Sequence, residues 1–456
     1  MKFTLYPYYK RNFRSALPII LSFLGQSTVQ IVDSLMIGWL GATPLAAASL
    51  AGAVIMNVLV IGMGISMALT PIVGREWGER NFRTIASYFQ NSLLLNLVAS
   101  FALSLLLVLI LYLLPFFGQP VEVVGAMRGY YIYLTLSILP FMLFQTFKQF
   151  MEGMGNTHIA MKITLVANGL NVVLNYLLIF GKLGFPQMGM EGAGLATFIS
   201  RLFMPVAFYV AIGLKGSYFR FFKLFNLSLF SQKRLASLMR IGVPISGQMS
   251  IEFLSLTMIT VMMGWISTES LAANQIALAM INLTFMIANG IAAASTIHVS
   301  HSFGKRDIEG VRKSGVAGMH LSLMIMGVAA ILFLLFGREI ASLFTSSEEV
   351  IAIATKLFMV VALFEILDGL QVSALGALRG ISDVKQASIY ALISYLLVSI
   401  PTAYIAGFVL NLQEVGLLSG FAAGLLVAST LFIGRFKRRC SNPQELFLNL
   451  EHENSR

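Results

Sequence analysis

The sequence predicts an all-α membrane protein with twelve transmembrane helices in two parallel-repeat six-helix bundles. Of its 456 residues, 57% are hydrophobic and only 11% are charged, whereas soluble domains carry about 25% charged residues. Apolar runs of about 20 residues, the length at which a helix crosses the hydrocarbon core, return along the whole chain. The first and second halves of the chain also repeat one another.

The apolar runs define twelve spans. They lie at residues 16–38, 44–73, 88–112, 130–148, 160–181, 191–213, 240–266, 271–297, 314–336, 352–376, 384–411 and 415–435. With the N-terminus in the cytosol, 26 of the 31 Lys and Arg residues fall on the cytosolic side. Because cytosolic loops are enriched in Lys and Arg, we expect both termini in the cytosol, which requires an even number of spans.

The internal repeat has a constant offset of 226 residues over its first part. The segment 36–48, MIGWLGATPLAAA, matches 262–274, MMGWISTESLAAN, and Gly64 matches Gly290 at the same offset. Two six-helix halves in the same order form a parallel repeat, whose pseudo-two-fold axis runs along the membrane normal. We therefore expect substrate to bind between the halves and rocking of the halves to give alternating access.

The repeat also predicts the domain organisation: an N-terminal lobe at 1–213, a cytosolic linker at 214–239, a C-terminal lobe at 240–440 and a polar cytosolic tail at 441–456. The linker carries five basic residues and no acidic residue, namely Lys215, Arg220, Lys223, Lys233 and Arg234. Basic amphipathic segments typically lie on the anionic inner face of a membrane. The net charge of +11 resides in loops without interleaved stacking aromatics, so we expect no nucleic-acid partner.

Five ionisable residues are predicted well inside the spans: Asp33, Arg201, Glu252, Glu365 and Asp368. A charge at that depth costs at least about 2.5–3.5 kcal/mol, so each must face water, find a partner or take up a proton. Glu365 and Asp368 are three residues apart and share one helical face, where they repel. Such a pair suits proton exchange, and an ionised cluster suits Na⁺, for which Glu252 and Asp368 are the candidate ligands.

Span five carries Asn168, Asn171 and Asn175 on one helical face. Buried amides commonly bridge transmembrane helices, and we expect Arg201 to be a structural partner in the same way. Alternatively, Asn171 and Asn175 supply carbonyl oxygens to a cation near Asp33.

The remaining motifs exclude several classes of protein. The chain has no GxxxxGK[ST] loop, so no ATP-driven motor is expected. His298 and His301 lack the spaced partners of a zinc site, and we expect both in a solvated loop. Energy for transport would then come from an ion gradient or from the gradient of the substrate itself, and we expect no cofactor.

Three stretches resemble the multidrug and toxic compound extrusion (MATE) transporters of the bacterial NorM-type branch. They are the P-x14-D-x4-G pattern of Pro18, Asp33 and Gly38, the pair Pro244 and Glu252 in span seven, and residues 367–380, LDGLQVSALGALRG. The resemblance covers about residues 10–440. It implies a V-shaped MATE fold that exports organic cations in exchange for Na⁺ or H⁺ across the cell inner membrane.

The resemblance also implies roles for individual residues. The acids that match Asp33, Glu252 and Asp368 bind the coupling ion and substrate in NorM-type members, and Asn171 and Asn175 match a polar cluster of the N-terminal lobe. Phe364 stands where some members have a tyrosine, which removes a hydroxyl ligand. Glu365 adds a carboxylate at a position that is often a neutral amide.

We therefore expect a monomeric, cation-coupled multidrug antiporter whose partners are lipophilic organic cations and membrane lipids. The alternative is a lipid-linked oligosaccharide flippase of the same superfamily. Its pyrophosphate cargo requires a basic cavity, whereas four buried acids here face a single buried arginine, Arg201. A membrane sensor or scaffold is disfavoured because no soluble domain is attached. An enzyme is not expected, since we find no convergent nucleophile or metal set.

Overall fold

The computed structural model describes residues 5–114, 121–214, 216–226 and 230–447. This part of the chain contains helices and no strand, and twelve helical segments are long and apolar enough to cross a membrane, so the predicted fold class is confirmed. In chain order, spans one to twelve are Tyr6–Gly38, Ala42–Glu79, Phe82–Leu113, Glu122–Gly153, Thr157–Phe180, Met190–Leu214, Gln232–Ile266, Thr268–Gly304, Ile308–Ser342, Glu348–Gly380, Val384–Val409 and Gln413–Ser441.

Several helices extend well beyond the apolar runs that predicted them. Span two has 38 residues and span eight has 37, which at 1.5 Å per residue gives about 55 Å, against about 30 Å for a hydrocarbon core. Their ends are set by local backbone signals rather than by the end of the apolar run. Residues that sequence analysis placed in loops therefore lie inside long helices.

Helix boundaries follow the internal repeat residue by residue. Arg80 and Arg306 adopt left-handed backbone conformations with φ of 62° and 55°, which stop spans two and eight. The next residues, Asn81 and Asp307, cap spans three and nine by accepting backbone N–H groups at 3.4 and 2.9 Å, as N-cap side chains do. Both pairs are related by the offset of 226, so the repeat extends to backbone geometry.

By packing, the chain divides into two compact units. The C-terminal unit contains the described residues up to Ile20 and from Gly247 onward, and the N-terminal unit contains Leu21–Ser246. The division therefore falls inside spans one and seven, at Ile20 and Ser246, which are equivalent positions of the repeat. The lobe boundaries given from the sequence, 1–213 and 240–440, stay a prediction about the transport halves.

Equivalent glycines allow close helix contacts in the two units. In the N-terminal unit, a Cβ on Gly64 would lie 2.5 Å from the Cα of Ser246. In the C-terminal unit, a Cβ on Gly290 would lie 2.4 Å from the side chain of Ile20. Both members of one contact are 226 residues before the members of the other. Span two packs against span seven in one unit as span eight packs against span one in the other.

The beginning of span one is fixed to the C-terminal unit by polar contacts. The Asn12 amide donates to the Ser314 carbonyl at 3.0 Å, and the His298 ring nitrogen Nε2 lies 3.0 Å from the Ser15 hydroxyl and 3.2 Å from the Arg11 carbonyl. His298 is buried. The prediction that it lies in a solvated loop is therefore wrong, because span eight continues past it to Gly304.

The predicted linker is partly helical. A short helix occupies Gly216–Lys223 and span seven begins at Gln232. Phe221 is fully buried, with its ring 5.4 Å from that of Phe150, and the exposed Arg220 lies 4.1 Å from the ring of Phe82. Aromatic packing thus holds the basic linker against the N-terminal unit. Lys215 and residues 448–456 of the predicted tail lie outside the described residues.

Gly64→Ala is expected to lower the thermal stability of the detergent-solubilised protein, because its Cβ would meet backbone atoms of Ser246. Overpacking of this kind typically costs about 1–3 kcal/mol. Gly52→Ala in the same span is the matched control, since nothing lies within 4 Å of its added Cβ, and alanine favours the helix by up to about 1 kcal/mol. Equal unfolding temperatures for the two variants would contradict the close contact.

Candidate functional site

A chain of hydrogen bonds in the N-terminal unit connects three spans. Asn175 of span five donates from Nδ2 to Oδ1 of Asp33 on span one, and also to Oδ1 of Asn171 at 3.1 Å. Asn171 in turn donates to the Thr197 hydroxyl of span six at 3.4 Å. The spacing of Asn171 and Asn175 by four residues aligns them on one face of their helix. The structure thus brings together the predicted residues Asp33, Asn171 and Asn175.

Arg201 lies beside this network on span six. Its guanidinium donates to the Ser137 hydroxyl at 2.8 Å, lies 5.0 Å from the ring of Phe141, and interacts electrostatically with Asp33. Within the described residues Arg201 makes no ion pair closer than 4 Å. It therefore balances the charge of Asp33 in part while it remains tied to span four.

The third asparagine of span five takes no part in the chain of hydrogen bonds. Asn168 packs against Gly25, and its buried Nδ2 has no hydrogen-bond partner among the described residues. The buried Oδ1 of Asn175 also lacks a partner there. A carbonyl oxygen next to a carboxylate is thus available to a cation, as one of the two sequence-based interpretations requires.

In the C-terminal unit, Glu252 is held by a glutamine that also binds an arginine. Gln248, one turn earlier on span seven, donates to Oε2 of Glu252 at 3.0 Å. The Arg379 guanidinium of span ten donates to Oε1 of Gln248 at 2.6 Å and interacts electrostatically with Glu252. Sequence analysis assigned Arg379 to a cytosolic loop, because the apolar run ends at about residue 376. Span ten continues to Gly380 and carries Arg379 into the protein.

The two acids of span ten are buried on the same side of their helix, as predicted. Glu365 is 0% exposed and Asp368 is 3% exposed. Asp368 interacts electrostatically with Glu252 and with Glu365. Glu365 accepts a hydrogen bond from the Thr284 hydroxyl of span eight at 2.9 Å. The structure therefore groups the predicted residues Glu252, Glu365 and Asp368.

Tyr395 of span eleven completes this group, and sequence analysis did not identify it. Its hydroxyl is fully buried without a close hydrogen-bond partner among the described residues, and it interacts electrostatically with Glu252 and Asp368. Its ring stacks on Phe421, which stacks on Phe364. The missing tyrosine hydroxyl at position 364 is thus matched by a hydroxyl from another span.

Local backbone geometry explains why Tyr395 was missed. It lies in a π-helical segment, Ile393–Ser399, inside span eleven. Such segments shift the residues that follow onto another helical face and occur frequently at functional sites. The apolar periodicity of span eleven gives no sign of this shift. Its neighbour Ser394 is also buried and has an unpartnered hydroxyl.

The charges of the C-terminal group do not balance. Glu252, Glu365 and Asp368 face one guanidinium, that of Arg379. Buried charges persist only when they are paired or neutralised. The described residues contain no group of three or more His, Cys, Asp or Glu residues arranged to hold a metal ion. Two carboxylates and a tyrosine hydroxyl nevertheless offer the oxygen ligands that hard cations prefer.

Further buried charges occur near the cytosolic ends of the spans in the N-terminal unit. Arg75 pairs with Glu76 at 3.1 Å, and the buried Lys148 lies 4.6 Å from the ring of Phe23 and interacts with the buried Glu152. The sequence-based count of one buried arginine is therefore wrong. These cations were missed because spans two and four extend beyond their apolar runs.

Comparisons with known proteins agree with this arrangement. A family model described as MatE matches residues 18–177 and 244–405. The chain is 28% identical over 447 residues to the multidrug resistance protein NorM of Aliivibrio fischeri, with 97% of each chain covered. It is 32% identical over 428 residues to the probable multidrug resistance protein NorM of Photorhabdus laumondii subsp. laumondii, with 91% of this chain and 92% of the relative covered.

Solved structures show the same fold. A Vibrio cholerae MATE transporter in its bent form superposes with a TM-score of 0.86 at 18% identity, covering 97% of this chain and 99% of that one. A eukaryotic MATE transporter superposes with a TM-score of 0.86 at 19% identity and the same coverage. The two segments matched by the family model correspond to the two halves of the repeat. This chain is a multi-pass membrane protein that belongs to the MATE family of transporters.

Proposed function

We propose that the chain is a cation-coupled multidrug antiporter that exports lipophilic organic cations in exchange for Na⁺ or H⁺. The observation that carries this proposal is the excess of buried carboxylates over buried cations around Glu252 and Asp368. The names of the relatives, multidrug resistance proteins, support the substrate class. The transporter acts as a monomer in the cell inner membrane, with both termini in the cytosol.

Exchange follows from the need to neutralise the buried carboxylates. A cationic drug and a coupling ion both satisfy the negative charge at Glu252 and Asp368, so each weakens binding of the other. Coupling then requires that the two ligands favour different states of an alternating-access equilibrium between the six-helix lobes, because a ligand shifts an equilibrium only by its differential affinity.

Asp33 provides a second cation-binding position, in the N-terminal unit. Its carboxylate is held by Asn175, whose own carbonyl oxygen is unpartnered. Arg201 reduces the local negative charge without a direct ion pair. A cation that approaches Asp33 therefore meets two oxygen ligands in a fixed arrangement, with Asn171 holding the amide of Asn175 in place.

A lipid-linked oligosaccharide flippase fits the charges poorly. Its pyrophosphate cargo requires basic side chains that are free of acidic neighbours. Arg75 and Lys148 are buried, but each has a glutamate beside it, Glu76 and Glu152. Arg379 likewise faces Glu252. The buried cations are therefore balanced by acids, and the excess charge of the C-terminal group is negative.

Ethidium efflux from proteoliposomes tests this proposal. Purified protein should drive efflux under an inward gradient of Na⁺ or of protons. Asp33→Asn and Glu252→Gln should each abolish coupled efflux, because loss of one partner of a buried charge interaction costs about 2–5 kcal/mol, or roughly 30-fold or more in affinity.

Glu339→Gln is the matched control, since Glu339 is exposed. It should transport ethidium like the unmodified protein. Efflux at the unmodified rate from both Asp33→Asn and Glu252→Gln would contradict the assignment of these carboxylates. Absence of efflux under both gradients would contradict the antiporter itself.

Asn175→Ala should reduce ethidium efflux and lower thermal stability. It removes the donor to the Asp33 carboxylate and the neighbouring carbonyl oxygen, and an unsatisfied buried polar group costs about 1–3 kcal/mol. Asn168→Ala, on the same helix, is the control because its amide nitrogen has no partner among the described residues. Equal losses in the two variants would show that span five is sensitive to any amide removal.

Tyr395→Phe should weaken dependence on the coupling ion while preserving the stack with Phe421. The change removes one hydroxyl oxygen and no ring contact. The concentration of Na⁺ or H⁺ that gives half-maximal efflux should rise about tenfold, equivalent to about 1.4 kcal/mol. Phe364→Tyr in the Tyr395→Phe background offers a replacement hydroxyl from the other end of the stack.

Tyr131→Phe is the control for this prediction. Tyr131 is also buried, but its hydroxyl donates to the Leu107 carbonyl in the N-terminal unit at 2.9 Å. Its removal should change stability and leave the ion dependence of efflux unaltered. A normal ion dependence in Tyr395→Phe would exclude the hydroxyl as a ligand.

A further inference from the structure

Glu365 differs from the other two acids of the C-terminal group in its surroundings. It is 0% exposed, and one carboxylate oxygen, Oε1, accepts from the Thr284 hydroxyl at 2.9 Å. The other, Oε2, has no hydrogen-bond partner among the described residues. No Lys, Arg or His of spans eight or nine is in electrostatic contact with it there, and the titratable group that interacts with it is Asp368 on its own helix.

The guanidinium of Arg379 does not compensate for this charge. It interacts with Glu252, directly and through Gln248. With Glu252 balanced in this way, Asp368 and Glu365 are two carboxylates without a basic partner in the described part of the unit. Each must acquire a cation or a proton, because an isolated buried carboxylate is strongly destabilising.

The position of Glu365 also separates it from Tyr395. One turn further along span ten, a Cβ on Gly369 would come within 3.0 Å of the Ser322 hydroxyl of span nine. Ser322 is fully buried and its hydroxyl is unpartnered, as are the hydroxyls of Ser295 on span eight and Ser373 on span ten. The interior of spans eight to ten therefore holds several polar groups that can exchange hydrogen bonds with a mobile proton.

The number of oxygen ligands distinguishes the two positions. Asp368 interacts with Glu252 and Tyr395, so carboxylate and hydroxyl oxygens converge there. Glu365 has only the Thr284 hydroxyl, whose hydrogen already points to Oε1. Hard metal cations such as Ca²⁺ take about six to eight oxygen ligands. A proton on Oε2 satisfies Glu365 with no further ligand.

We propose that Glu365 is a second cation-exchange site, which binds a proton on Oε2 in each transport cycle, separately from the cation bound at Asp368. This inference rests on the proposed antiport function. Proton uptake converts the carboxylate to a carboxylic acid, with Thr284 donating to its other oxygen, and release restores the charge. Two cations then enter for each cationic drug exported.

This stoichiometry makes transport electrogenic. Export of one monovalent drug against two incoming cations moves one net positive charge inward per cycle. A single exchange site would move no net charge. For one net charge, a change of about 60 mV in membrane potential shifts the equilibrium drug ratio about tenfold.

The test uses the full chain in proteoliposomes with ethidium as the drug. Valinomycin and K⁺ set the membrane potential while the pH and Na⁺ gradients are held constant. We expect the unmodified protein to change its equilibrium ethidium ratio about tenfold for each 60 mV. Glu365→Gln should still transport, with an ethidium ratio that no longer depends on potential.

Glu349→Gln is the matched control, because Glu349 lies exposed in the first turn of the same span. It should keep the full dependence on potential. Thr284→Val retains the carboxylate and removes its hydrogen-bond donor, so it should keep the stoichiometry of two and shift the pH dependence of transport. If Glu365→Gln transports with an unchanged dependence on potential, Glu365 holds its proton permanently and the inference is overturned.

A second measurement covers the case in which Glu365→Gln does not transport. Ethidium binding to the detergent-solubilised protein in a weakly buffered solution with a pH indicator counts the protons released per drug bound. The inference requires one proton fewer in Glu365→Gln than in the unmodified protein. An equal number would overturn it. Failure of the unmodified protein to export ethidium under both gradients would instead remove the antiport function.

Discussion

Charge balance inside the C-terminal unit is the constraint on which the functional features depend. Glu252, Glu365 and Asp368 are withdrawn from water by three long helices, and one guanidinium, that of Arg379, compensates them only in part. A buried group with a negative charge deficit binds whichever cation can reach it. Drug selectivity can then be broad, because attraction depends on charge and apolar surface rather than on a fixed pattern of hydrogen bonds.

The repeated scaffold positions these charges without specifying them. Glycines 64 and 290 permit the same close helix contact in both units, and residues 80 and 306 stop equivalent helices with the same left-handed backbone. The chemistry on this scaffold is asymmetric. One unit holds Asp33 through asparagine amides, whereas the other groups three carboxylates with a tyrosine hydroxyl. Duplication explains the fold, and later divergence at polar positions explains the function.

Sequence reasoning identified the features that depend on composition and local periodicity. The twelve spans, the repeat and the grouping of Asp33 with Asn171 and Asn175 follow from apolar run length and helical spacing. Arg379 and His298 were misplaced because their helices continue far beyond the apolar runs, and burial there comes from neighbouring helices. Tyr395 was missed because a π-helical segment changes the helical phase, and one strand of sequence carries no signal for that change.

Competition between drug and coupling ion tests the central claim most directly. Ethidium affinity of the detergent-solubilised protein should be measured while Na⁺ concentration and pH are varied independently. If the same buried carboxylates serve both ligands, the apparent Kd for ethidium should rise in proportion to the concentration of Na⁺ or of protons. An affinity that stays constant when both are varied would contradict the account.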